Sequence, residues 1–303
     1  MKKNILLVIT LCFIAFSPAI ESCQTVKSST ASKMLKFNFE KGKGYDYEMI
    51  MSVDQEMMGQ KMEMDMTTYY SMDVKEDNGE LKTISTTFDR FKMKMGMGGL
   101  NLDVDTDDAN QVSGGNEDEK NPMNILNKLF GAIKGQRFLM KVNAEGKIEE
   151  ISGFNQMAES IADSLGLEPE KRTEMMKSFN QQFNEKSVKE QFERVLYIFP
   201  NKEVKIGDTW QKNSETSGQF AGKYNSTYTI KEIEGDMVTV EEKSKIISDN
   251  NKGQMDGSVI GELVIDSRTG LVVKADQELK ITATADGKSV TIKGISKIKG
   301  KAR

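Results

Sequence analysis

Strict alternation between methionine and charge constrains this chain more than any other feature. From Tyr45, one parity carries Tyr45, Tyr47, Met49, Met51 and Val53; the other carries Asp46, Glu48, Ser52 and Asp54, with Ile50 the one exception. A second run sets Met62, Met64, Met66, Tyr70, Met72 and Val74 against Lys61, Glu63, Asp65, Ser71, Asp73 and Lys75. A third sets Phe91, Met93, Met95 and Met97 against Lys92 and Lys94. Successive side chains of a strand point to opposite faces, so these runs are strands with one apolar and one wet face. A single wet face belongs to antiparallel sheets, because parallel sheets are covered on both sides. The three runs are expected to line one shared face.

Turn signals punctuate the alternation at Asp77-Asn78-Gly79, Ala144-Glu145-Gly146, Glu234-Gly235-Asp236, Arg268-Thr269-Gly270 and Ala285-Asp286-Gly287. Two stretches break it. Asn121 and Pro122 open a short helix bearing Ile125, Leu129 and Ile133, which Gly135 stops. From Phe154 to Phe199 the period is helical. Met157, Ile161 and Leu165 align, Pro169 restarts a helix with Met176, Phe179 and Phe183, and Pro200 ends a last helix bearing Phe192, Leu196 and Phe199. Ser187 and Glu190 are expected to form the capping box of that last helix. Around this segment an approximate repeat emerges. Lys36 to Tyr45 parallels Glu203 to Trp210, and Arg137 to Lys147 parallels Glu262 to Leu271.

The expected fold is therefore mainly β with an α insertion. Antiparallel curved sheets from two similar units would form an open or half barrel, with the helical segment packed on it. The expected boundaries are a signal peptide over 1–22, a tether over 23–33, a first sheet unit over 34–153, helices over 154–200 and a second unit over 201–303.

The N-terminus reads as an export signal. Lys2 and Lys3 precede an apolar run from Ile5 to Phe16 that is too short to span a bilayer as a mature helix. Ile20, Ser22 and Cys23 then resemble the lipobox of bacterial lipoproteins, although Glu21 stands where that pattern has a small residue. The resemblance implies a lipidated Cys23 at the mature N-terminus and a membrane as partner. Cys12 lies inside the signal, so Cys23 would be the sole mature thiol and no internal disulfide is expected. Gln24 to Lys33 is polar and reads as a tether. Sorting rules of such lipoproteins, applied to Gln24, imply the inner leaflet of an outer membrane, facing the periplasm.

Together, Ser22-Cys23, the Gly44-Tyr45-Asp46-Tyr47 strand opening, the Met-x-Met runs and the segment Val204 to Trp210 resemble an uncharacterised Bacteroidota lipoprotein family. That resemblance implies no activity and no catalytic residue. More loosely, long antiparallel strands with helices resemble the half-barrel lipid and lipoprotein carriers of bacterial envelopes.

The Met face, with Tyr45, Tyr47, Met49, Met51, Met62, Met64, Met66, Met93 and Met95, has three readings. It is the core of the sheet, since Met fills irregular gaps; or it is a pliable surface for an apolar small molecule, a lipid or an exported lipoprotein; or its thioethers bind Cu(I). The acidic stretch Asp103, Asp105, Asp107 and Asp108 suggests calcium, but Asp108 and Gly114 violate the EF-hand pattern, so a solvated loop is expected. The chain has no histidine, which removes the commonest general base and its nucleophile pairs. No phosphate-cradling loop is present, and paired carboxylates such as Glu149 and Glu150 are not singled out. With 42 basic and 46 acidic residues there is no footprint for nucleic acid. No catalytic residue, metal or cofactor is expected, and Trp210, the only tryptophan, is expected to anchor the core. The leading expectation is a non-catalytic envelope lipoprotein that holds an apolar ligand or partner segment. A structural lipoprotein with a closed core is the rival, and a carboxylate-based enzyme a lesser one.

Overall fold

The computed structural model describes residues 32–57, 60–97, 100–108, 130–164, 166, 168–170, 172–173, 176–177, 184–216, 222–250, 253–285 and 288–303. The signal, Cys23, the tether to residue 31 and the helix expected from Asn121 up to residue 129 lie outside them, as do Leu165, Phe179 and Phe183.

The alternating runs form β2 (Gly44–Met57), β3 (Gln60–Asp77) and β4 (Leu81–Met97), preceded by the short β1 (Lys33–Leu35). Next come β5 (Leu100–Asp105), β6 (Arg137–Asn143) and β7 (Ile148–Ser152), then helices α1 (Phe154–Ser164) and α2 (Glu185–Leu196). The second unit holds β8 (Lys202–Val204), β9 (Thr209–Thr216), β10 (Gly222–Glu234), β11 (Met237–Asn250), β12 (Gly253–Asp266), β13 (Leu271–Ala285) and β14 (Lys288–Ala302). All pairings are antiparallel, and one 12-stranded sheet runs β7-β6-β4-β3-β2-β14-β13-β12-β11-β10-β9, with β5 beside β4. The sheet consists of two meanders joined where the last strand meets the first long one, at Ile298↔Met49 and Ser296↔Met51. The sheet is curved and not closed into a barrel. Its edges are β7 and β9, and the helical crossover connects them. The short strands β1 and β8 pair with each other in a separate two-stranded sheet, Leu35 opposite Lys202.

One end of the curve is plugged. Leu35, Phe37 and Phe39 are fully buried. The chain around them runs from the β6–β7 turn, where Phe37 N donates to Ala144 O at 2.8 Å, to the β12–β13 turn, where Asn38 N donates to Thr269 O at 2.8 Å. Phe39 stacks on Tyr45 at 3.7 Å between ring centres. The helices fill the adjoining space. In α1, Phe154, Met157, Ala158 and Ile161 share one stripe and are buried, with Phe154 edge-on to Phe138 of β6. In α2, Phe192 wedges between Tyr70 of β3 and Phe138, 5.4 and 5.5 Å away.

The capping box of α2 differs from the expected one. Asn184 is the N-cap: its side chain accepts from Ser187 N at 2.9 Å, while Ser187 Oγ accepts from Asn184 N at 3.0 Å. The helix thus begins a turn earlier than Ser187 and Glu190 imply, because Asn caps as well as Ser and Ser187 serves in the third position. The helix also ends at Leu196, so Phe199 joins the core from the connection beyond it rather than from a helical stripe.

At this closed end the two sheet edges approach each other. Lys212 of β9 pairs with Glu145 in the β6–β7 turn, and Phe199 N donates to Glu145 O at 3.3 Å. Gly146 makes the approach possible. Its φ is +81°, and a Cβ there would lie 1.6 Å from the carbonyl oxygen of Leu196.

Candidate functional site

Strand register turns the sequence parity into ladders across the concave face. One row reads Trp210, Tyr228, Glu242, Gly261, Gln277, Ser296, Met51, Met66, Met93 and Val104. The next, nearer the open end, reads Lys212, Ser226, Ser244, Val259, Leu279, Gly294, Val53, Met64, Met95 and Leu102. Beyond them Tyr224, Ile246, Ile281 and Ile292 join Val53 and Val259 in a second apolar cluster, with Met51, Met64, Met255, Leu279 and Val290 against it. β4 is long enough to pair with β6 through its first half and with β5 through its second, so Met93 and Met95 are flanked by Val104 and Leu102.

The residues named from sequence for this face divide into two environments. Tyr45 and Tyr47 are 1% and 2% exposed, within the plugged core. Burial pushes the Tyr47 hydroxyl well above its ordinary range. Met49 packs against the same core and its sulfur accepts from the Tyr70 hydroxyl at 3.0 Å. Met51, Met62, Met64, Met66, Met93 and Met95 are half-buried. Sealing thus changes along a single strand face, with Met72 and Tyr70 of β3 closed off and Met66, Met64 and Met62 in part open.

A polar belt separates the two zones, and sequence reasoning missed it. Glu242 is 1% exposed on the concave face. Its carboxylate accepts from Ser244 Oγ at 2.6 Å and from Gln277 Nε2 at 2.6 Å, and Arg194 Nη2 of α2 lies 3.5 Å away. Ser244 in turn shares a hydrogen bond with Ser226 at 2.7 Å. Gln277 reaches Glu242 across β12 at Gly261, where a Cβ would stand 2.6 Å from the Gln277 side chain. Burial pushes the neighbouring Tyr228 hydroxyl well up, and the Glu242 charge adds to the shift. The Arg194 guanidinium sits 4.3 Å over the ring of Tyr224, a member of the second apolar cluster. The sequence held one signal for this belt: Val238, Val240 and Ile246 set the inward parity of β11, and Glu242 interrupts it with a charge.

Other candidates are structural. Trp210 stacks on Tyr228 and its Nε1 donates to Ile198 O at 2.7 Å. The acidic stretch is paired: Asp103 with Lys94, Asp105 with Arg90 and Lys92, and Asp107 with Arg90 and Lys134. The Arg90 guanidinium holds the Asp105 carboxyl far below the usual carboxylate range. Gly114 lies outside the described residues, and among these no group of three acidic, Cys or His residues is arranged to hold a metal. Surface depressions of about 380 Å³, beside Phe138 and Met157, and about 250 Å³, beside Phe37 and Asn143, lie away from the Met rows. No described helix is long and apolar enough to cross a membrane.

Similar solved structures include lipovitellin, described through its lipid–protein interactions, at 10% identity and a TM-score of 0.48. That match covers 88% of this chain and 26% of the other, so the chain spans about a quarter of lipovitellin's length. The translocator domain of the autotransporter NalP from Neisseria meningitidis matches at 6% identity and a TM-score of 0.24, over 86% of this chain and 88% of that one. The outer membrane protein Omp33 of Acinetobacter baumannii matches at 9% identity and a TM-score of 0.16, over 88% and 99%. Likenesses at these TM-scores carry no argument about function. No curated protein matches the chain. Residues 79–272, more than half of the chain, match a family of unknown function, DUF6263, and the chain belongs to that family.

Proposed function

We propose that this protein is exported, anchored to the cell envelope by a lipid on Cys23, and holds an apolar ligand on its upper concave face without catalysing a reaction. The observation that carries the ligand reading is the loss of sealing along β3, from Met72 at 0% exposed to the half-buried Met66, Met64 and Met62. A contiguous apolar surface left partly open marks a place where something binds, and thioethers adapt to variable apolar shapes.

The anchor reading rests on Ser22 and Cys23 and on the likeness to Bacteroidota lipoproteins; Gln24 favours the periplasmic face of an outer membrane. β1 starts at the plugged end, so a lipid just upstream would hold that end toward the membrane and the Met rows away from it. The rival reading is a closed structural core, which the full burial of Ile246 and Ile281 favours.

The test uses the full mature chain with Cys23→Ala, purified from an envelope extract without detergent. For the anchor, mass spectrometry of the N-terminal peptide of the unsubstituted protein decides: a diacylglycerol thioether on Cys23 supports it, and an unmodified thiol removes it. Native mass spectrometry then reads cargo. An extra mass that organic extraction removes supports the ligand face, and a bare chain mass that stays bare after incubation with lipid extract overturns it in favour of the closed core.

A further inference from the structure

The geometry points to an acid-headed amphiphile as the occupant, its head against Arg194 and its tail along the half-buried Met rows. This rests on the apolar-ligand reading above and adds the ligand's class. Charge along the concave face carries it. From the belt to the strand ends at 57, 97, 216, 250 and 285, the inward positions of the described ladders carry one carboxylate, Glu242, and it lies at the lower limit. The cation Arg194 borders the same limit, and Lys212 beside it is already paired with Glu145. An acid meets no like charge above Glu242, whereas an amine meets the Arg194 cation and a carboxylate that is already engaged.

Glu242 leaves Arg194 with capacity to spare. Its oxygens are taken at 2.6 Å by Ser244 and Gln277, and only Arg194 Nη2 approaches, at 3.5 Å. The remaining donors of the guanidinium fork have no hydrogen-bond partner among the described residues, and a fork of this kind matches a carboxylate or a phosphate. The group is preorganised: it lies over Tyr224, a member of the second apolar cluster, and its side chain is 19% exposed. From Met66 to Gln60 the strand β3 rises about 20 Å, the length of one long acyl chain laid past Met64 and Met62.

The experiment measures equilibrium binding of four probes to the delipidated full mature chain with Cys23→Ala: palmitate, hexadecyl phosphate, methyl palmitate and hexadecylamine. Palmitate or hexadecyl phosphate should bind about tenfold or more tightly than the ester or the amine, and the tighter of the two acids tells a fatty acid from a phosphate head. Arg194→Gln should erase that preference while the ester still binds. Arg194→Lys, which keeps the charge and loses the fork, should weaken acid binding several-fold, and it decides the matter if the glutamine variant fails to fold. Equal binding of all four probes to the unsubstituted Arg194 chain, or an acid preference that survives both substitutions, overturns the head assignment and leaves the apolar face standing. Binding of none overturns both.

Discussion

The indole Nε1 of Trp210, at the edge of the sheet, donates to the carbonyl of Ile198 at 2.7 Å, just past the end of α2. This bond ties the helical crossover to β9 and closes the plugged end from one side, as the Lys212–Glu145 pair does from the other. Trp210→Phe keeps most of the ring packing on Tyr228 but leaves a buried acceptor unmet. A loss of about 1–3 kcal/mol is expected, measured by urea denaturation followed by circular dichroism.

Gly146 faces the same junction. Alanine there combines a strained positive φ with a collision against the Leu196 carbonyl, since its Cβ would lie 1.6 Å from that oxygen. Gly146→Ala should cost about 3 kcal/mol or more and raise hydrogen exchange in α2 before it does so in β11 to β14. Uniform exchange across both regions would refute the local docking role.

Glu193 sits beside this contact, its carboxylate accepting from Ile148 N at 2.9 Å, and burial raises its pKa above the ordinary value. A folded-state value above the unfolded one means that its contribution to stability is fully present below the unfolded value, about 4.3, and is lost as pH rises through the folded value. Glu193→Gln keeps an oxygen for Ile148 and removes the buried charge. The variant should match or exceed the parent in stability at pH 7, and its advantage should vanish toward pH 4. Denaturation midpoints at the two pH values check this, and an advantage that grows on acidification would contradict it.

Met64 and Met72 share a strand face, and the ligand reading separates them. Met72→Ala removes fully buried volume and should cost about 2–5 kcal/mol. Met64→Glu places charge on the half-buried row between Val53 and Met95, where solvent still reaches it; it should cost less than Met72→Ala, within about 0.5–3 kcal/mol, while abolishing the extractable mass. A cost at Met64 as large as that at Met72 would identify the upper face as closed core.

The face shared by the three Met runs was legible in the amino-acid order, because side-chain parity in a strand is a local property. Met51, Met66 and Met93 stand in one row, and the antiparallel class follows from the charges on the opposite parity. Turns at Asn78-Gly79 and Thr269-Gly270 were equally local. Parity says which side a residue faces and nothing about what covers it. Tyr47 and Met64 have the same parity, yet Tyr47 is sealed and Met64 is not, because the helices and the segment around Phe37 pack at one end of the curve. The belt is further from reach. Arg194 and Glu242 are 48 residues apart, on a helix and a strand that meet only when the helix docks over the β9 edge of the sheet. Local order determined the strands and the direction each side chain faces; long-range pairing and helix docking decided where the face closes, where it stays open and which charge waits at the boundary.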